Sequence, residues 1–260
     1  MQEARYYTRM QASLGDKHRM VEHIVENAPV LDVGCADGSL MNVLNAEGFD
    51  VYGVDMDPAT ASERVRTGYA DENVFPEVSF GTILCSSVLH EVFSYGNRDG
   101  DKGRIANLEN TFTTFAEILQ SGGRLVIRDG VCPPLNPVMT FPVESPELVT
   151  RFLAKSPFAH GELDRAIELS TDGENITGTL SSIMEFAFTA TWGEGSWARE
   201  VQEFYGFFTV DQMVAFAARF GFRCLRAESY RQPGYVEHMS AVDFGDFFPA
   251  TNALWVFEKI

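Results

Sequence analysis

Residues 30–40 read VLDVGCADGSL. A short apolar run with the character of a buried strand passes into a turn holding two glycines and two aspartates, and a helix over 38–47 comes directly after. A buried strand that hands directly to a helix opens a strand–helix–strand unit, so the spacing of the later apolar runs decides the architecture. Strands are predicted at 50–54, near 66–70, at 81–86 and at 124–129, separated by helices at about 58–65 and 104–120. This alternation predicts an open, mostly parallel sheet with helices on both faces.

Upstream, Met10, Leu14, Met20, Val21, Ile24 and Val25 fall at helical spacing. They predict one or two amphipathic helices over 3–26, ended by Pro29. Downstream, the rhythm breaks over 132–208, where six prolines (Pro133, Pro134, Pro137, Pro142, Pro146, Pro157) precede an aromatic-rich stretch with Phe186, Phe188, Trp192, Trp197, Phe204, Tyr205, Phe207 and Phe208. That stretch reads as an inserted cap. Its aromatics suit either a small core of the cap or a dimer surface, and HGELDRAIELS within it reads as an amphipathic helix with a solvated acidic face. TVDQMVAFAARFGF then predicts a helix with Thr209 as N-cap and Gly221 closing it. Two final strands are predicted near 222–230 and 252–259. The expected organisation is residues 1–131 as N-terminal helices and the first half of the sheet domain, 132–208 as the cap, and 209–260 returning to the sheet.

In such sheets ligands bind at the carboxyl ends of the strands, which directs attention to the turn at 32–38. A dinucleotide site wants G-x-G-x-x-G, and counting from Gly34 the later positions hold Ala36 and Ser39. Asp32 and Asp37 would also repel a pyrophosphate. The same acids suit a cation.

VLDVGCADG resembles the first motif of class I S-adenosylmethionine-dependent methyltransferases, with Ala36 in place of the middle glycine. The resemblance implies a doubly wound domain of seven strands, the last antiparallel, with the cap inserted between the fifth strand and the next helix. It also implies S-adenosylmethionine as cofactor, with Asp32 facing the aminocarboxypropyl end and Gly34, Cys35 and Gly38 lining the same pocket. VYGVDMDP places Asp55 at the end of the second strand, 21 residues after Gly34. A carboxylate there accepts hydrogen bonds from ribose hydroxyls, a device shared with NAD enzymes, and the resemblance sets Met56 against the adenine. Asp71 in RTGYADENVF stands where many members contact the adenine amino group. In FGTILCSSVLHEVFSYG, Ser86, Ser87, Leu89 and His90 are expected beneath the methionine part, facing the substrate, and the (D/N/S)-P-P-(Y/F) signature of nucleic-acid amino-methyltransferases does not occur in this segment.

Methyl transfer asks the protein for alignment, exclusion of water and removal of a proton. His90 is the first candidate base, because an imidazole titrates near neutral pH, with Glu91 orienting it or acting instead. A structural, cofactor-lining His90 is the competing reading. Tyr95 is close enough in sequence to reach the same pocket, and Tyr6 and Tyr7 either fold over the cofactor or dock on the sheet. No metal is expected, since His18, His23, His160 and His238 show no ligand spacing.

The formal net charge of −17 and pI near 4.6 set the overall field against polyanions. The expected acceptor is therefore a small molecule, and nucleic acid fits poorly. The cap alone carries 11 acidic and 4 basic residues. An RNA or protein methyltransferase, or a noncatalytic cofactor-binding module, are the alternatives. No signal-peptide pattern or membrane-length apolar run stands out, and Cys35, Cys85, Cys132 and Cys224 are too scattered for a disulfide framework, so a cytoplasmic protein is expected.

Overall fold

In the computed structural model the described residues are 14–98, 101–234 and 238–260. Seven strands form the main sheet: β1 Val30–Val33, β2 Val51–Asp55, β3 Val65–Thr67, β4 Phe80–Ser86, β5 Leu119–Gly130, β9 Phe222–Tyr230 and β10 Asn252–Lys259. Their order is β3-β2-β1-β4-β5-β10-β9. Neighbours from β3 to β5 pair in parallel, whereas β10 runs antiparallel to both β5 and β9. The chain steps outward from β1 to β2 and β3, then returns to the other side of β1 at β4. That reversal opens a crevice at the carboxyl ends of β1 and β4, where Gly34 and Ser86 stand.

The helices are α1 Leu14–Lys17, α2 Ser39–Ala46, α3 Leu89–Tyr95, α4 Ile105–Ile118, α5 Pro146–Lys155, α6 Leu180–Thr191, α7 Trp197–Glu200 and α8 Val210–Ala218. Leu108, Thr111, Phe112, Phe115 and Ile118 put one face of α4 into the core at helical spacing. At α8, the Thr209 hydroxyl accepts the Gln212 N–H at 3.2 Å while the Gln212 side chain accepts the Thr209 N–H at 2.9 Å, a reciprocal cap at the predicted residue. Gly221, at φ +79°, turns the chain into β9. No helix among the described residues is long and apolar enough to cross a membrane.

Between β5 and α8 lies a three-stranded antiparallel sheet of β6 Val138–Pro142, β8 Asn175–Thr179 and β7 Leu169–Thr171, in that order, together with α5, α6 and α7. Its aromatics are continuous with the main core. Phe93 of α3 stacks on Phe158 at 5.9 Å and on Phe207 at 5.8 Å between ring centroids. Phe186, Phe188, Trp197, Phe204, Tyr205, Phe207 and Phe208 are all buried. The opposite face of the sheet is covered by α2 and the segment around Met20 and Ile24.

Two expectations fail for local reasons. Residues 58–64 form turns instead of a helix, because the Ser62 hydroxyl accepts the N–H groups of Arg64 and Val65 and so competes with helical bonding. HGELDRAIELS is likewise not helical. Asp164 within it instead accepts the Ile105 N–H at 2.8 Å and Arg104 at 3.1 Å at the start of α4, and Arg165 donates to the Phe207 carbonyl at 2.8 Å. At the N-terminus only α1 and a 3-10 turn over His18–His23 are described, and Tyr6, Tyr7 and Met10 lie outside the described residues.

Candidate active site

The turn after β1 is built for close approach. Gly34 has φ +74°, and a Cβ there would stand 2.6 Å from Val88 Cγ2. Its N–H and that of Cys35 donate to the Val54 carbonyl at 2.8 and 3.2 Å. Asp55 joins the turn to the end of β2: Oδ2 accepts the Ala36 N–H at 3.0 Å and Oδ1 the Asp57 N–H at 2.8 Å. Ala36, where the motif resemblance departs, holds φ +46°, a conformation that glycine adopts at less cost. Gly38, at φ +73°, starts α2 but lines a neighbouring groove with Met41 and Asn42 rather than the cavity in front of the turn.

That cavity holds about 680 Å³, within the range of sites for drug-sized ligands. Gly34, Ala36, Asp55, Met56 and Ser86 line it, together with Tyr69 and Ala70. Met56 is 60% exposed at its lip. Asp71 is not among the lining residues, and its carbonyl accepts the Thr114 hydroxyl at 2.9 Å. A narrow extension of about 20 Å³ continues past Gly34, Ala36 and Ser86 to Asp32, Cys35 and Lys17. Burial pushes the Asp32 carboxyl up to about 7 against the pull of Lys17, with Asp55 and Asp37 adding to it. Burial likewise pushes the Cys35 thiol up to about 12, which leaves it inert.

The Ser86 hydroxyl is buried with no hydrogen-bond partner among the described residues, and the residue lines both spaces. An orphaned hydroxyl, a glycine with no room for a Cβ and a buried acid are what a compact polar ligand carrying positive charge would satisfy. S-adenosylmethionine has that character, so the residues present fit it.

The far wall comes from α3 and the segment around α7. Glu91, Tyr95, Arg199 and Gln202 line the cavity opposite the turn. Arg199 bridges Glu91 at 2.9 Å and Glu203 at 3.4 Å. The Tyr95 hydroxyl donates to Glu203 at 2.9 Å. Burial pushes Glu91 up to about 7, with Glu203 adding while His90 and Arg199 oppose. Behind it, Tyr205 donates to Glu200, whose carboxyl burial pushes up to about 8.

His90 does not line the cavity, which corrects its expected place facing the substrate; Leu89, fully buried, does not line it either. The imidazole is 6% exposed, with Nδ1 at 2.6 Å from Asp129 Oδ1, Nε2 at 3.6 Å from Glu203 Oε2, and its face stacked on Tyr205 at 4.9 Å. Burial works against the charged ring, yet Asp129 and Glu203 carry its pKa well above the ordinary value. Both nitrogens are thus committed to carboxylates. Asp129 also accepts the N–H groups of Leu89 at 2.9 Å and His90 at 3.2 Å, holding the first turn of α3. Lys17 and Arg199, which line these spaces, and Asp129 and Glu203, which brace the far wall, were not singled out from the sequence. Asp129 alone carried a readable signal, an acid at the carboxyl end of a predicted strand.

Comparisons with known proteins match the fold. A structure from Mesorhizobium loti described as an S-adenosylmethionine-dependent methyltransferase superposes with a TM-score of 0.52 at 13% identity, covering 93% of this chain and 96% of that one. The glycopeptide N-methyltransferase MtfA in complex with S-adenosylmethionine gives 0.51 at 12% identity, covering 95% of this chain and 87% of that one. No curated protein sequence matches. The family model for a methyltransferase domain matches residues 6–227, most of the chain. With the seven-stranded order and the turn at Gly34, this shows that the chain belongs to the methyltransferase domain family and is a class I S-adenosylmethionine-dependent methyltransferase.

Proposed function

We propose that this enzyme methylates a small molecule held between the turn after β1 and the wall formed by Glu91, Tyr95, Arg199 and Gln202. The observation that carries the reading is that both walls enclose one cavity of about 680 Å³, so donor and acceptor share a single space. When bound, S-adenosylmethionine supplies a methyl carbon already activated by its sulfonium. Asp32 would hold the cofactor's ammonium. Asp55 would receive ribose hydroxyls on the lone pairs left beside its two backbone bonds. Gly34 and Ser86 line the approach between them.

Proton removal falls to Glu91 in this reading. It faces the cavity, and a carboxyl poised near neutrality accepts a proton at working pH. His90 acts as a positioning residue, fixing the first turn of α3 from which Glu91 projects. The acidic character of the chain favours a small acceptor over RNA.

The test is transfer of labelled methyl from S-adenosylmethionine into three pools: a small-molecule extract, total RNA and total protein. Label in the small-molecule pool is the expected result. Label confined to RNA or protein would replace this reading, and binding without transfer to any pool would reduce the chain to a cofactor-binding module.

A further inference from the structure

Lys17 and Asp32 both line the narrow extension, close enough to feel each other's charge but without a direct ion pair. Lys17 is 9% exposed, and no carboxylate stands within 4 Å of its ammonium among the described residues. A buried ammonium without a hydrogen-bonded anion is costly, and a chain that keeps one has a use for it.

Its position is built, not accidental. The preceding residue, Asp16, accepts Arg128 Nε at 2.5 Å and the Tyr230 hydroxyl at 2.8 Å. Arg128 is 2% exposed on β5 and also donates to the Ser87 hydroxyl at 2.6 Å and to Gln232. Residues of β5 and β9 therefore pin the segment that carries Lys17 against the carboxyl ends of the strands. Across the extension stands Asp32, with the unsatisfied Ser86 hydroxyl beside it.

The extension thus presents one carboxyl, one amine and one hydroxyl-bearing residue around about 20 Å³. That volume admits the tip of a chain and no more. An α-amino acid end matches it, ammonium toward Asp32 and carboxylate toward Lys17. Resting on the methyl-donor reading, we infer that Lys17 binds the carboxylate of the cofactor's methionine portion and makes the enzyme selective for a donor that retains its amino acid zwitterion. Burial depresses the lysine's pKa and Arg128 adds to this, while Asp32 and Asp37 oppose it.

Calorimetry on the full chain would use S-adenosylhomocysteine and the aminopropyl thioether of adenosine that lacks only the carboxylate. The wild type is expected to favour S-adenosylhomocysteine by about tenfold or more, the scale of a charge-assisted hydrogen bond. In Lys17→Met that preference should vanish, with the decarboxylated thioether binding as before, and Lys17→Arg should restore part of it. A Lys17→Met protein that keeps the full preference overturns the inference. Should Lys17→Met not fold, equal affinity of the wild type for the two thioethers overturns it by itself. Failure of the wild type to bind either thioether would instead strike the methyl-donor reading, so the two failures are distinguishable.

Discussion

Asp129 holds His90 twice: its Oδ1 stands 2.6 Å from the imidazole Nδ1, while its Oδ2 accepts the histidine's own backbone N–H at 3.2 Å. One carboxylate at the end of β5 therefore fixes both the ring and the start of the helix that carries Glu91 into the cavity. Glu203 meets the other side of the ring at 3.6 Å. A ring held this way is braced on both sides by carboxylates that favour its charged form.

Removing it should show first in stability. His90→Ala leaves two buried carboxylates facing a void, and breaking such a pair costs about 3–5 kcal/mol. Urea unfolding is expected to report a loss of that order. A change under about 1 kcal/mol would contradict the clamp.

Asp55→Ala removes the acceptor of the Ala36 and Asp57 N–H groups as well as the ribose contact proposed for it. Affinity for S-adenosylhomocysteine should fall at least about tenfold by calorimetry, the scale of one charge-assisted bond. Unchanged affinity would mean that the cofactor lies elsewhere.

Glu91→Gln isolates the proposed base. Turnover should drop by about a hundredfold, the usual scale of general-base assistance, while S-adenosylhomocysteine affinity holds. In the wild type, turnover should rise with pH through about 7 as Glu91 loses its proton, and the variant's profile should lose that limb. A variant retaining both rate and limb removes Glu91 from the mechanism.

Stability should decline as pH rises from about 5 to 8. Asp32 is raised to about 7, and Glu185 and Glu200 to about 8, in each case chiefly by burial. Over this interval the folded chain keeps protons that an unfolded carboxyl, with its pKa near 4, has already released. The folded state thus binds more protons, and its advantage is lost as pH climbs through the folded values. His90, raised in the fold, adds to the same loss as pH climbs from the ordinary imidazole value toward its own elevated one. Glu203 runs the other way: burial would raise it, but His90 and Arg199 hold it down, so its contribution disappears only in acid, below the ordinary carboxyl range. Thermal melts at pH 5, 6.5 and 8, spanning the raised carboxyl values near 7 and 8, should show a falling midpoint. A midpoint that rises across this range would contradict the assigned directions.

The strands were legible wherever burial on both faces left a run of apolar residues. β1, β2, β4 and β10 all lie where the pattern placed them, and the cap at Thr209 was legible because its hydrogen bonds span only three residues. The failures share a cause. At 58–64 and at 160–168, side chains bond to backbone or to remote elements more effectively than a helix would use them, and Asp164 serving the start of α4 is invisible at local range. Asp32, Gly34 and Asp55, singled out with the help of the motif resemblance, line the two neighbouring spaces.

The sequence by itself determined the strand-to-helix turn, the alternation of strands and helices along the first half of the chain and the acid at the end of the second strand, since each depends on neighbours a few residues away. Only the tertiary structure decided that His90 turns from the cavity while Glu91 faces it, that Asp129 holds α3, and that Lys17 closes the extension across from Asp32. Those choices depend on which charges meet across more than a hundred residues of chain, as Asp16 meets Arg128, and on how deeply burial strips them of water. No local pattern carries that information.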